Sequence, residues 1–313
     1  MEKSSTILVT GASGLVGRSV ARHLLAMHYT NVLTPRRLEL DLTSWARVDE
    51  FFARHHPTHV LAIAAKVGGI AANIADPVGF LDQNLQMQCN LLRACNAYGT
   101  TKNAFLGSSC MFPRESAQPM KEEYLLTGPL ETTNESYALA KIAGVRLAQA
   151  YHKQYGLNTI CLVPCNVYGI DDHFNLQSSH VLSALVKRFV DAVDAHAPTV
   201  TLWGSGSARR EFMHVDDLAA ALLFLMDRYD APEIVNVGTG QDCTIRALAE
   251  TIAELSGFGG EIRWDRSKPD GMPRKVLDVS RLIALGFRTR IRLDDGLREV
   301  IAHYRLLKGC EST

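Results

Sequence analysis

The sequence carries no excess of charge of either sign: 33 Lys and Arg balance 33 Asp and Glu across 313 residues. Such a chain has no broad field for nucleic acid or an anionic membrane, so a bound anion needs a local cluster of arginines. No apolar run reaches the roughly 18–20 residues that span a bilayer. No signal-peptide pattern fits ahead of the strand-like run in MEKSSTILVTG. The seven cysteines are odd in number and lack CxxC spacing, which gives neither a disulfide framework nor a metal site. Cys161 and Cys165 share one strand-like run, where about 3.3 Å per residue sets them about 13 Å apart, too far to bridge. Free thiols fit a reducing cytoplasm. A repeat of roughly 20–50 residues and low-complexity segments are also missing.

What is present is an ordinary globular composition, and the length allows one large α/β unit or a main domain with a smaller partner. Short aliphatic runs at 7–10, 60–65, 104–107, 159–163 and 234–237 read as buried strands. Amphipathic segments at 17–27, 77–98 and 137–155 lie between them. This alternation predicts parallel βαβ units in a doubly wound Rossmann sheet, with ligands at the strand ends. After about Gly169 the rhythm changes. A helix over 180–196, a strand over 199–203 and a Gly/Ser turn over 204–207 predict a smaller α/β substrate lobe. The expected division is a dinucleotide-binding domain over 1–165, with a return segment near 209–240, and a lobe built from 166–208 and 241–313.

The first turn reads Thr10-Gly11-Ala12-Ser13-Gly14-Leu15-Val16-Gly17. Glycine at 11 permits a tight turn, glycine at 14 lets backbone approach a pyrophosphate, and glycine at 17 allows close helix packing. The GxxGxxG spacing is that of short-chain dehydrogenases rather than GxGxxG. The second strand region ends in Arg36-Arg37 where an acidic residue would favour NAD, so the pair favours NADP(H), with Arg37 ahead of Arg36. A solvated basic turn is the bland alternative. Asp41 and Leu42 are placed near the adenine, and Ala64-Ala65-Lys66 beside the cofactor.

Tyr137-Ala-Leu-Ala-Lys141 sets a phenol and an ammonium at i and i+4 on one helix face. Ketone reduction needs a proton donor at oxygen, and a nearby ammonium is expected to lower the tyrosine pKa from about 10. Ser108 or Ser109, closing the strand before them, is placed to polarise a carbonyl. Cys110 is either a thiolate base for a carbon-bound proton or a small buried apolar side chain. His180 is either a residue at a helix start or a proton donor. His55, His56 and His59 are interrupted by Pro57 and read as a surface turn, not a metal site.

The segments LAIAAKVGGIAANIADP, FLGSSCMFP, PLETTNESYALAKIAG, VPCNVYGIDDHFN, SSHVLSALVKRF, LWGSGSARREFMHVDDLA and SKPDGMPRK closely resemble the GDP-L-fucose synthase family of extended short-chain dehydrogenases, over about residues 5 to 300. The resemblance implies a dual reaction: inversion at C3 and C5 of GDP-4-keto-6-deoxy-D-mannose, then NADPH-dependent reduction at C4. By position it implies Cys110 as base, His180 as acid, and Ser108, Tyr137 and Lys141 as the reductase set. It adds Pro164, Asn166, Val167 and His180 to the cofactor surface, and Arg188, Trp203, Arg210 and Asp270 as substrate contacts. It also implies a homodimer through the 77–98 and 137–155 helices. Some members carry a basic residue in the glycine loop; here Ala12 and Ser13 stand there, leaving the 2′-phosphate to Arg36 and Arg37. The same scaffold serves deoxyheptose and colitose precursors, and a non-catalytic NADP-binding regulator is a further alternative. Retention of Cys110, His180 and the Tyr/Lys pair argues against a pure reductase and against the regulator.

Overall fold

Runs of Ile, Leu and Val buried on both faces form parallel strands, because only a sheet covered by helices on each side hides them. In the computed structural model, which describes residues 1–175, 180–268 and 270–311, these runs open the chain. They appear as β1 (Ile7–Val9), α1 (Leu15–Ala26), β2 (Val32–Leu33), α2 (Trp45–His55), β3 (His59–Ala62), α3 (Ile70–Ala75), α4 (Pro77–Ala97), β4 (Lys102–Leu106), α5 (Glu135–Tyr155) and β5 (Thr159–Pro164). The second part holds β6 (Asn166–Tyr168), α6 (Val181–Asp194), β7 (Thr199–Trp203), β8 (Arg209–His214), α7 (Val215–Arg228) and β9 (Val235–Val237). It closes with β10 (Asp242–Thr244), α8 (Ile245–Ser256), β11 (Glu261–Asp265), β12 (Arg274–Lys275), α9 (Ser280–Ala284) and α10 (Leu293–Glu311).

The large sheet runs β2-β1-β3-β4-β5-β9, every pair parallel. Strand order reverses between β1 and β3. In a doubly wound sheet the ligand crevice opens at that switch point, outside the carboxyl ends of the two strands. Thr10 closes this corner: its hydroxyl accepts from the backbone N–H of Ile63 and of Ala64, each at 3.0 Å. Gly11, at φ +69°, then turns the chain so tightly against Ala64 that a Cβ would lie 2.9 Å from its Cα.

A second sheet has β8 at its centre, flanked by β10, β12 and β6. A separate core fills the space between α6, α8 and α10, with Leu182, Phe189, Ile252 and Val300 fully or almost fully buried. The return to the large sheet is therefore shorter than the expected 209–240. Residues 209–214 belong to the small sheet, and the chain rejoins through α7 and β9. Nor does the whole of 241–313 form the lobe, since Leu277, Val279 and Leu282 pack into the first core. The histidine segment also differs from expectation. His55 ends α2, His56 adopts a left-handed conformation, and His59 is buried as the first residue of β3. Among the described residues, no helix is long and apolar enough to cross a membrane.

The helix carrying Tyr137 and Lys141 is pinned close to the sheet. At Gly144, one turn beyond Lys141, a Cβ would lie 2.4 Å from both the Gln88 side-chain oxygen and the Phe105 ring. Gln88 Nε2 in turn donates to the Ala140 carbonyl at 2.5 Å. Gly144→Ala should therefore push α5 off α4 and β4, lowering stability by about 1–3 kcal/mol. Urea unfolding checks this; a variant as stable as the parent would remove Gly144 from the packing argument.

Candidate active site

The crevice at the β1–β3 switch point is a cavity of about 450 Å³ lined by Gly11, Ser13, Arg37, Asp41, Leu42 and Ala64 to Lys66, among others. Eight expected cofactor positions thus fall on one surface. Thr10, which opens the glycine turn, lines it as well, and so do Pro35, Leu40, Thr43, Gln83 and Met87, which had no motif to announce them. The two arginines separate: Arg37 faces the cavity, whereas Arg36 does not line it and its N–H donates to Glu39. Arg37 also helps hold the Asp41 carboxyl below its usual range, after the two hydrogen bonds from Thr43.

The geometry fits a dinucleotide. A Cβ at Gly14 would meet only the Gly11 carbonyl, at 3.5 Å, so the loop surface is open there. Gly17 has a different cause from the one expected. Its Cβ would fall 2.2 Å from the Gly11 carbonyl, so it packs helix against its own loop rather than against the sheet. With Leu15 and Val16 beginning α1, the first-turn N–H groups and positive dipole end face this loop. Lys66, by contrast, is ion-paired with Asp76. Pro164 ends β5, and Asn166 Nδ2 donates to the Glu211 carbonyl at 2.9 Å, which together with the Val167 pairing ties β6 to β8.

Past the end of β4, Gly107 bonds across to Leu162, and Ser108 begins a single tight turn. Its hydroxyl accepts from the Cys110 N–H at 3.3 Å and lies near enough to the Tyr137 phenol to draw that group's pKa down. Ser109, the other candidate, is buried in that turn. Burial, and the neighbouring Cys110 sulfur, push the Tyr137 pKa above its ordinary value against the pull of Ser108. The expected lowering by Lys141 is not what this arrangement gives. The Lys141 Nζ donates to the Leu106 carbonyl at 2.7 Å and stands 5.9 Å from the Tyr137 ring centre. Burial without a counter-charge brings its own pKa down to about 8.

At Cys110 the surroundings oppose the effect of burial. Burial alone would raise its pKa, but three neighbours outweigh burial and bring the thiol below its ordinary value. They are the Lys275 ammonium at 3.4 Å, the Asn134 amide at 3.1 Å and the Ser108 hydroxyl. Lys275 and Asn134 were not among the expected site residues. Asn134 stands just ahead of α5, and Lys275 is 165 residues from Cys110 in sequence, a separation that no local pattern reveals.

The remaining residues lie around the lobe. His180 is the N-cap position of α6, with an exposed side chain and no hydrogen bond to Cys110 or Tyr137. Ser178 and Ser179 before it lie outside the described residues. The approach to His180 is held at Asp171, which pairs with Arg18 and Arg22 of α1, and at Asp172, which accepts from Ser183. Arg18 Nε also donates to the Ser13 carbonyl, linking the glycine loop to this approach. Arg188 is half-buried, with no ion-pair partner among the described residues. Burial lowers the Arg210 pKa against the pull of Asp270 and Cys110. Asp270 accepts from the Ser205 N–H at 2.6 Å and hydroxyl at 2.7 Å, so it orders the Gly204–Ser207 turn. Trp203 ends β7 at 68% exposure, with the Lys268 ammonium 5.7 Å from its ring centre.

A Rossmann crevice followed by a Ser/Tyr/Lys set on β4 and α5 defines an extended short-chain dehydrogenase. The signature of the NAD dependent epimerase/dehydratase family matches residues 7–238. The chain is 49% identical to the putative GDP-L-fucose synthase 2 of Arabidopsis thaliana over 304 residues, 97% of this chain and 93% of that protein. It is 44% identical to the GDP-L-fucose synthase of Escherichia coli K12, covering 93% of this chain and 94% of that one. The structure of a GDP-L-fucose synthetase from Naegleria fowleri bound to NADP superposes with a TM-score of 0.89 at 26% identity, over all of this chain and 97% of that one. The chain belongs to the NAD dependent epimerase/dehydratase family and, within it, to the GDP-L-fucose synthase family.

Arg37→Ala should weaken NADPH binding about tenfold or more, the loss of a charged hydrogen-bonded pair of about 1.5–3 kcal/mol. NADH binding and the Arg36→Ala variant should change far less. Fluorescence titration of both cofactors decides it; equal losses for NADH and NADPH would take Arg37 away from the 2′-phosphate.

Proposed function

We propose that this chain inverts C3 and C5 of GDP-4-keto-6-deoxy-D-mannose and reduces C4 with NADPH, giving GDP-L-fucose. One observation carries the reading: the Ser108 hydroxyl accepts from the Cys110 N–H and lies near enough to Tyr137 to draw its pKa down, so a proton-abstracting thiol and a reductase pair surround one oxygen-binding point. Protons on carbons flanking a ketone are acidic because their negative charge passes to the carbonyl oxygen. Cys110, with Lys275 beside it, takes the proton from C3 or C5 as a thiolate. Ser108 and Tyr137 hold the C4 oxygen while charge develops there. His180 returns a proton on the opposite face of the ring, inverting the centre.

Once both centres are inverted, the same two hydroxyls hold the C4 oxygen for reduction. NADPH, when bound, supplies hydride to C4. Tyr137 gives its proton to the oxygen as this happens. Lys141, fixed by the Leu106 carbonyl and titrating near 8, holds positive charge beneath the phenol and is close enough to neutrality to pass a proton onward. Arg188 and Arg210 are the cations suited to the GDP diphosphate, Trp203 covers a flat face of the ligand, and Asp270 orders the turn between them.

A homodimer in a reducing cytoplasm completes the reading. Val78 at 75% and Leu139 at 43% exposure lie on the outer faces of α4 and α5, and all seven cysteines are free thiols.

Tyr137→Phe should slow NADPH oxidation by at least about 100-fold while slowing solvent deuterium exchange at C3 and C5 far less, since Ser108 still holds the C4 oxygen. Cys110→Ser should do the reverse, slowing that exchange severely. Normal NADPH turnover in the first variant, or unchanged exchange in the second, contradicts the assignment.

A further inference from the structure

Lys275 reaches Cys110 from a strap that crosses between the two cores. Its backbone pairs in parallel with β8 only at Arg274 and Lys275, opposite Arg209 and Arg210. The ladder stops there, yet the next two N–H groups are not left open. Val276 N donates to the Gln118 side chain at 3.0 Å, and Leu277 N donates to Glu211 Oε2 at 2.8 Å. Met120 then closes the strap, donating to the Val276 carbonyl and accepting from Asp278 N, each at 2.8 Å.

Glu211 is fully buried and accepts at both oxygens. Its Oε1 takes the Thr239 and Gly240 N–H groups at 2.6 and 2.7 Å and the Thr239 hydroxyl at 3.2 Å. A Cβ at Gly238 would lie 2.3 Å from that oxygen, so the turn after β9 is shaped around the carboxylate. One side chain therefore fixes three segments: β8, the 238–240 turn, and the strap two residues beyond Lys275. Nothing in the hydride-transfer set touches it.

We propose that Glu211 is a positioning residue that holds the 274–279 strap in register, so that the Lys275 ammonium stands against the Cys110 sulfur. The ionisable groups facing Cys110 are Lys275 from the strap, Tyr137 from α5 and Arg210 from β8. The one facing Glu211 is the buried Cys165 thiol, pushed up by burial first and by Glu211 second. Of these, Lys275 is the cation hydrogen-bonded to the Cys110 sulfur, and its place depends on the strap. An amide at position 211 offers only one accepting oxygen, so either Leu277 or the 239–240 turn loses its acceptor and the strap shifts.

The inference rests on the proposed role of Cys110 only for its consequence, since thiol ionisation is read without substrate. The test is the pH dependence of iodoacetamide alkylation at Cys110 in the full chain, with Cys110→Ala as the blank for other thiols. Glu211→Gln should move the midpoint up by about one pH unit, slowing alkylation at pH 7 about tenfold. Lys275→Met should move it at least as far, and the double variant no further than Lys275→Met alone. NADPH affinity should be unchanged in each. If Glu211→Gln does not fold, Gln118→Ala releases the neighbouring N–H without touching a buried charge and should shift the midpoint in the same direction. An unmoved midpoint in a folded Glu211→Gln or Gln118→Ala variant, or additive shifts in the double variant, overturns the proposal. If the shifts occur but Cys110→Ser exchanges C3 and C5 protons normally, the positioning stands and the role of Cys110 falls.

Discussion

A thiolate set among buried walls persists only where a cation stands beside it, because burial by itself favours the neutral thiol. Here that cation is Lys275, 3.4 Å from the Cys110 sulfur. The contact joins the end of β4 to a strap from the last quarter of the chain, so it exists only when both cores are formed and docked. The rest of the site is arranged around the same point. Asn134 donates to the sulfur from the residue ahead of α5, Ser108 accepts from the Cys110 N–H beside Tyr137, and Arg210 approaches from β8. Charge at the sulfur is felt in turn by the phenol, which it helps keep protonated.

That coupling gives physical content to a two-stage site. A tyrosine held neutral beside a thiolate can donate to a developing oxyanion without losing its proton early. In the proposed mechanism, the penalty on the phenol relaxes when the cysteine accepts a proton, and the tyrosine then donates as hydride transfer follows. The Lys141 ammonium is held by the Leu106 carbonyl, 5.9 Å from the phenol ring centre, which suits the proposed role of supporting charge beneath the ring.

Much of this was legible in the sequence. The glycine loop, the Tyr137/Lys141 pair, the serine-ended strand and the order of Arg37 over Arg36 are local patterns, and local patterns survive the loss of three-dimensional context. The 199–203 strand and the 77–98 helix are likewise set by short-range periodicity, and both appear where periodicity puts them. The domain division was less legible, since β8 lies in the small sheet while the strap after β12 packs into the large core. The same reason hid Lys275, Asn134 and Glu211. Their significance comes from partners far away in sequence, and a lone lysine or glutamate carries no pattern of its own. Family resemblance supplied Cys110 as a base, but the cause of its acidity became visible only with the strap in place.

The central claim is that one ketone serves first as proton sink and then as hydride acceptor. The most direct measurement is NMR of the product formed from GDP-4-keto-6-deoxy-D-mannose and NADPH in deuterated water. The account predicts GDP-L-fucose with deuterium at C3 and C5 and protium at C4. A C4-reduced sugar that keeps protium and its starting configuration at C3 and C5 would contradict it.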